Sequence, residues 1–384
     1  MMPLPEPDAD ALAHSKRLAA LIRERIAAAG GFLSFAEYMK LALYAPGLGY
    51  YAAGSHKLGA AGDFVTAPEI SPLFGAALAT QISEVLRHCG GEVLELGPGS
   101  GRLAADLLTS LARRESLPER YLLLETSPDL RARQQAQLAQ LPAELGRRCL
   151  WRDELPGSFT GVVLGNEVLD ALPVERVRRE GEFCWQQGLE VTSQGQFVWA
   201  ERPLEQGELH TATLARLPEG PYRSEINLQA EALLRSLGAM LTRGLLLLVD
   251  YGYPAAEYYH PQRHWGTLAC FYRHHTHEDP FFLPGLQDIT AHVDFTAMAQ
   301  AAAESGLELA GFTTQARFLV NCGILETLAS QGEPGTPERL KASNAVNRLL
   351  HPAEMGELFK AIAWTRGLDL TPLGFRQGNQ PHRL

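Results

Sequence analysis

From residue 92 the chain alternates short apolar runs with amphipathic stretches. Four runs, EVLEL (92–96), RYLLLE (120–125), GVVLGNE (161–167) and GLLLLVDYG (244–252), are bounded by turn residues. Strands covered on both faces have this near-continuous apolar texture, so the pattern predicts a parallel, doubly wound α/β sheet. Upstream, ALAHSKRLAALIRERIAAAG spaces Leu12, Leu18, Leu21, Ile22 and Ile26 along one helical face, stopped by Gly30 and Gly31. FLSFAEYMKLALYAPGLGYYAAG predicts a helix running into an aromatic, glycine-rich loop, and KLGAAGDFVTAPEISPLFG a second loop before an apolar helix near 72 to 88.

Between the third and fourth runs, ERVRREGEFCWQQGLEVTSQGQFVWAERPL alternates like strands joined by glycine turns, which predicts an antiparallel insertion. Residues 253 to 294 are expected as a long loop rich in aromatics and histidine, followed by a helix at 295–305, a late strand near LELAGFTTQARFLV and a helical C-terminus. The expected organisation is an N-terminal helical and lid segment (1–90), a core (91–175 and 236–320), an insertion lobe (176–235) and a C-terminal helical cap (321–384).

Composition narrows the classes. A chain of 384 residues with 46% hydrophobic and 20% charged residues suits a folded enzyme and excludes a disordered one. A net charge of -10 argues against nucleic acid or anionic lipid as partner. The five cysteines are odd in number and form no C-x-x-C pair, which argues against a disulfide framework or a structural zinc site. With an N-terminal stretch, MMPLPEPDADALAH, that lacks a signal-peptide pattern, this leads to an expected cytoplasmic location. The aliphatic run GLLLLV is too short to span a bilayer, so no membrane insertion is expected, and the oligomeric state stays open.

Chemistry concentrates after the first run. Gly97, Gly99 and Gly101 spell G-x-G-x-G at a strand-to-helix turn, where glycine allows positive φ and close approach of a ligand to backbone. Glu95, just before it, would repel a pyrophosphate but suits a ligand carrying positive charge, such as S-adenosyl-L-methionine with its sulfonium and ammonium. Glu125, ending the second run, is placed to accept both ribose hydroxyls, and Ser127 opens the helix behind it.

ELGPGSGRL with LLLETSPDLRARQ resembles the class I S-adenosylmethionine-dependent methyltransferases. GDFVTAPEISPLFG, GNEVLDALPVE, LLLVDYGYP and PGLQDITAHVDF narrow the likeness to the MidA-like family, which includes the mitochondrial complex I assembly methyltransferase. The likeness runs in order from about residue 32 to about residue 325. It implies a Rossmann-like methyltransferase core, S-adenosylmethionine as methyl donor and arginine of a protein as acceptor. Asn166, Glu167 and Asp170 then stand at the carboxyl end of a strand, where two carboxylates can grip a guanidinium fork. Asp63 and Thr66 lie in a stretch expected to fold over the cofactor, with Asp63 near the ammonium group and Thr66 or Ser71 capping the next helix. His275, His277 and Asp279 could ligate a metal, but methyl transfer from a sulfonium needs none, so no metal is expected. The rivals are an NAD-dependent oxidoreductase, disfavoured by Glu95 and the glycine spacing, and a cofactor-binding assembly chaperone with little catalysis. The acids at Glu95, Glu125 and Glu167 argue against the latter.

Overall fold

The structure, a computed structural model, describes residues 4–53, 65–333 and 335–384. The chain divides into two compact units. One comprises Val65–Val168, Leu233–Gly252 and Met298–Leu384; the other comprises the segments up to Phe64, Leu169–Ala232 and Tyr253–Ala297.

The first unit is built on a sheet of β1 (Glu92–Leu96), β2 (Tyr121–Leu124), β3 (Cys149–Arg152), β4 (Phe159–Asn166), β5 (Leu241–Tyr253), β6 (Glu308–Thr314) and β7 (Phe359–Arg366). Their spatial order is β3-β2-β1-β4-β5-β7-β6. The ladders from β3 to β5 are parallel, and β7 runs antiparallel to both of its neighbours. The order reverses at β1, which lies between β2 and β4, so the crevice for a ligand opens where the carboxyl ends of β1 and β4 part. Val93, Val162, Leu164, Leu245 and Leu247 pack one sheet face against the helices Pro72–Cys89 and Arg102–Arg113 in an aliphatic core. Local signals set the helix boundaries: Ser71 accepts the Leu73 N–H, Pro72 follows it, and Gly90 (φ 64°) ends the helix.

The second unit holds an antiparallel ladder of Leu33–Ser34, Phe183–Val191, Glu175–Glu180 and Tyr222–Ile226, in that order, with Phe197–Pro203 also paired to Phe183–Val191. The helices Ala9–Ala28 and Phe35–Tyr44 contribute Leu18, Ile22, Phe35, Tyr38 and Met39 to its main core. Asp8 and Ser34 cap these helices through the Ala11 and Glu37 N–H groups. Arg176 lies over the Trp199 ring and 3.9 Å from the buried Glu225, which also accepts the Thr267 N–H and hydroxyl.

Three expectations need correction. Residues 253 to 294 are not one loop: Ala269–Tyr272 is the middle strand of a small antiparallel sheet with His275–His277 and Asp288–Thr290. Residues 321–384 are more than a helical cap, since they supply β7 to the core sheet. That strand, FKAIAWTR, mixes helix formers (Lys, Ala, Arg) with strand formers (Phe, Ile, Trp, Thr), so local preference is undecided and burial along the strand decides the outcome. The N-terminal 90 residues also divide, because the helix Pro72–Cys89 belongs to the sheet-bearing unit.

Candidate active site

The register brings two turns side by side in the first unit. Leu96 of β1 pairs with Gly165 of β4, so the glycine turn and the Asn166–Glu167 turn leave adjacent strands one residue later. Gly97, Gly99 and Gly101 have φ of 55°, 52° and 81°, a left-handed backbone that only glycine adopts without strain. A Cβ on Gly101 would come 3.1 Å from the Gln134 Cα, so the helix Pro128–Leu138 approaches the turn through the missing side chain. Ser100 donates its hydroxyl to Glu69, tying the short helix Ala67–Ile70 to the glycine turn.

Glu95 lies beneath this turn. It is 3% exposed and accepts the Tyr121 hydroxyl at 2.6 Å. Burial lifts its carboxyl to about 7, against the opposing pull of that hydrogen bond. Glu125 follows β2 and is also buried, with the Ser127 N–H on Oε1 (2.8 Å) and the Gln134 amide on Oε2 (3.0 Å). Burial raises its carboxyl above the usual range, while the Ser127 and Gln134 donors pull it back. The Ser127 hydroxyl accepts the Leu130 N–H and caps the helix Pro128–Leu138.

The second turn is strained. Glu167 takes φ 53°, an uncommon backbone for a residue with a side chain. Its N–H donates to the Val249 carbonyl of β5, and Asp250 accepts the next N–H, that of Val168, at 3.1 Å. The end of β5 thus clamps the turn on both sides of its strained peptide. Glu167 Oε1 accepts the Asn166 amide (3.0 Å) and the Ala67 N–H (3.3 Å). With its amide NH2 so used, Asn166 has a buried Oδ1 with no hydrogen-bond partner among the described residues. A buried acceptor left unpaired costs about 1–3 kcal/mol, which makes this oxygen a place where a donor would bind.

Asp170 belongs to the other unit, where it is buried and its carbonyl accepts the Ala291 N–H. Asp63 lies outside the described residues. Thr66 stands at the start of the helix Ala67–Ile70 without a side-chain cap bond, and Ser71 caps the longer helix that follows. No group of His, Cys, Asp or Glu among the described residues is arranged to hold a metal ion. In the histidine-rich stretch, His260 and His277 accept local N–H groups, while His264 and His275 hydrogen-bond local carbonyls.

Sequence reasoning missed Asp250 and Gln134 as parts of this site. Asp250 had a signal, an acid at the end of a buried aliphatic run. Glu69, one of the polar residues of the GDFVTAPEIS stretch, was legible as a candidate, but its tie to Ser100 is long-range. Gln134, in a polar helix, carried none.

Comparison with known proteins gives the family. Residues 77–313 match the model of a family described as S-adenosyl-L-methionine-dependent methyltransferases. A Danio rerio protein named protein arginine methyltransferase NDUFAF7, mitochondrial, is 32% identical, covering 86% of this chain and 83% of its own. The Drosophila melanogaster homologue is 31% identical over 95% of this chain and 89% of its own. A Burkholderia thailandensis protein, solved with S-adenosyl-homocysteine bound, superposes over the whole of both chains with a TM-score of 0.96 and 45% identity. The animal relatives are mitochondrial by name, which overturns the expected cytoplasmic location. Cysteine spacing reports redox conditions and names no organelle. No helix among the described residues is long and apolar enough to cross a membrane. The nicotinamide reading falls, and the chain belongs to this family of S-adenosyl-L-methionine-dependent methyltransferases, the MidA-like one that its motifs resemble.

Proposed function

We propose that the protein methylates arginine in a protein substrate, with the Asn166–Glu167 turn receiving the guanidinium. One observation carries this reading: a carboxylate on a strained backbone and a buried amide oxygen unpaired among the described residues leave β4 beside a glycine turn of the cofactor type. The residues suit S-adenosylmethionine. Gly97, Gly99 and Gly101 leave its path along the backbone open, Glu125 serves the ribose, and neither turn offers a cluster of cations for a phosphate. When bound, the cofactor supplies a methyl group activated by its sulfonium.

The chain's own part is orientation and charge. A guanidinium nitrogen is a poor nucleophile because its lone pair is delocalised and its pKa exceeds about 12. Glu167 is suited to hold such a cation in a fixed plane, and Asn166 Oδ1 to accept one of its N–H groups. Holding the reacting nitrogen in one direction removes orientational entropy from the barrier, and the carboxylate stabilises charge that builds there. A phenol or thiol would gain little, since a neighbouring anion opposes its deprotonation. The names of the animal relatives support the same acceptor.

The test supplies labelled S-adenosylmethionine to an extract of cells lacking the enzyme, with wild-type protein or Glu167→Gln added, and locates label by peptide mass analysis. Label on arginine that is lost with the variant is the expected result. Label on lysine, cysteine or a small molecule overturns the acceptor and leaves the methyltransferase intact.

A further inference from the structure

We infer that Gln134 is a positioning residue that presets Glu125 for the ribose hydroxyls; this rests on the reading of Glu125 as their acceptor. Gln134 is fully buried (0% exposed) on the helix Pro128–Leu138, whose other buried residue is Leu138. A primary amide in that position must have its donors and acceptor satisfied. Its Oε1 accepts the Trp151 indole N–H at 2.9 Å. Its Nε2 donates to the Gly99 carbonyl and to Glu125 Oε2, each at 3.0 Å.

The indole is a donor only, so it fixes which end of the amide faces it. With Oε1 committed to Trp151, the two Nε2 hydrogens point at the glycine turn and at Glu125, the two parts that a ribose must meet together. Glu125 is then held at both oxygens, by the Ser127 N–H and by Gln134, before any ligand arrives. The Thr126 N–H also acts on Glu125, and the acceptor capacity left on its two oxygens is what the ribose hydroxyls would use. The absence of a side chain on Gly101 lets the Gln134 backbone come close enough to reach Gly99. Preorganisation of this kind lowers the ordering cost of binding.

The experiment measures calorimetric Kd values of the full chain for S-adenosylhomocysteine and for its 2′,3′-dideoxy counterpart, which lacks both hydroxyls. Gln134→Met keeps the length and the packing and removes the donors. It should weaken S-adenosylhomocysteine about tenfold and the dideoxy compound by less than about twofold. Trp151→Phe, which frees the amide to turn over, should move the same ligand preference in the same direction by about threefold and serves if Gln134→Met does not fold. Equal weakening of both ligands, or no change for the hydroxylated one, in a folded variant overturns the inference. Glu125→Ala separates the two levels. A hydroxyl preference that survives in Glu125→Ala sinks the ribose assignment itself. A preference lost in Glu125→Ala but kept in Gln134→Met sinks the role of Gln134 alone.

Discussion

The turns after β1 and β4 reach the same left-handed backbone by opposite means. After β1 the chain uses Gly97, Gly99 and Gly101, for which φ near 50° to 80° costs no steric strain. After β4 it uses Glu167 at φ 53°, where a side chain costs about 1–2 kcal/mol. Strain of that order persists only where surrounding contacts hold it, and here β5 holds it through Val249 and Asp250. Under the proposed function, the difference separates two tasks. A turn that has only to let a ligand approach its backbone gives up side chains. A turn that has to aim a carboxylate keeps one against the preference of the backbone.

The sharpest way to break this contrast is to remove the charge at Glu167 and keep its shape. Glu167→Gln should lower kcat by the equivalent of about 2.7–4 kcal/mol, the range for a lost electrostatic stabiliser, with S-adenosylhomocysteine affinity nearly unchanged. Single-turnover rates with titration calorimetry check it. A variant that loses cofactor binding and keeps its rate per bound cofactor would assign Glu167 to the cofactor turn.

Glu95 marks the other side of the comparison, an acid in the glycine-turn strand whose surroundings favour its neutral form. Its folded pKa of about 7 lies above the unfolded value near 4.5, so the native state holds the proton longer. Stability therefore falls as pH rises from about 4.5 to about 7, and the full cost, on the order of 3 kcal/mol, is present above that window. Glu95→Gln keeps an acceptor for Tyr121 and removes the titration. Its stability advantage in urea unfolding should be absent near pH 4.5 and largest near pH 8. An advantage independent of pH would show that Glu95 is already ionised and compensated in the native state.

What the sequence made legible follows from the same physics. β2, β4 and β5 carry runs of successive apolar residues, as strands buried on both faces do, and such runs stand out in any chain. Glycines at alternate positions beside Glu95 announce a turn. β3 is four residues long and ends on an arginine, and β7 mixes helix and strand formers, so neither declares itself locally. The partners of Glu125 and Glu167 are harder still. Gln134, Ala67 and Asp250 come from segments 9, 100 and 83 residues away, and their side chains or backbone groups meet the acids or the adjoining turn only once the sheet has formed. The division of Glu167 and Asp170 between two units was likewise invisible, because three residues of spacing say nothing about where the chain leaves a domain.

A third substitution tests the glycine side directly. Gly101→Ala places a Cβ 3.1 Å from the Gln134 Cα at φ 81°, in a helix N-terminus with no room on that side. It should cost about 2 kcal/mol of stability and weaken the cofactor, because strain and displacement of the Gln134 helix act together. Gly97→Ala carries similar backbone strain but meets only the Val168 Cγ2 at 3.3 Å, so it should cost less. Equal costs at the two positions would leave backbone strain as the whole effect and remove the close approach of Gln134 from the account.

The smallest effect concerns Glu167 itself, compared between two truncations. Glu167→Ala and Glu167→Gly both delete the carboxylate, and with it the acceptor for Asn166 and Ala67. They differ only in the backbone: alanine retains the Cβ that disfavours φ 53°, and glycine does not. Glycine is also freer in the unfolded chain, which offsets part of its advantage by about 0.4–1 kcal/mol. With a left-handed cost of about 1–2 kcal/mol for alanine, Glu167→Gly should remain the more stable of the two by about 1 kcal/mol, with both inactive. Urea midpoints at constant m-value measure the difference. Alanine equal to or better than glycine would mean that the turn relaxes once the carboxylate is gone. The left-handed backbone would then be a consequence of the contacts made by Glu167, and β5 would not be the clamp that imposes it.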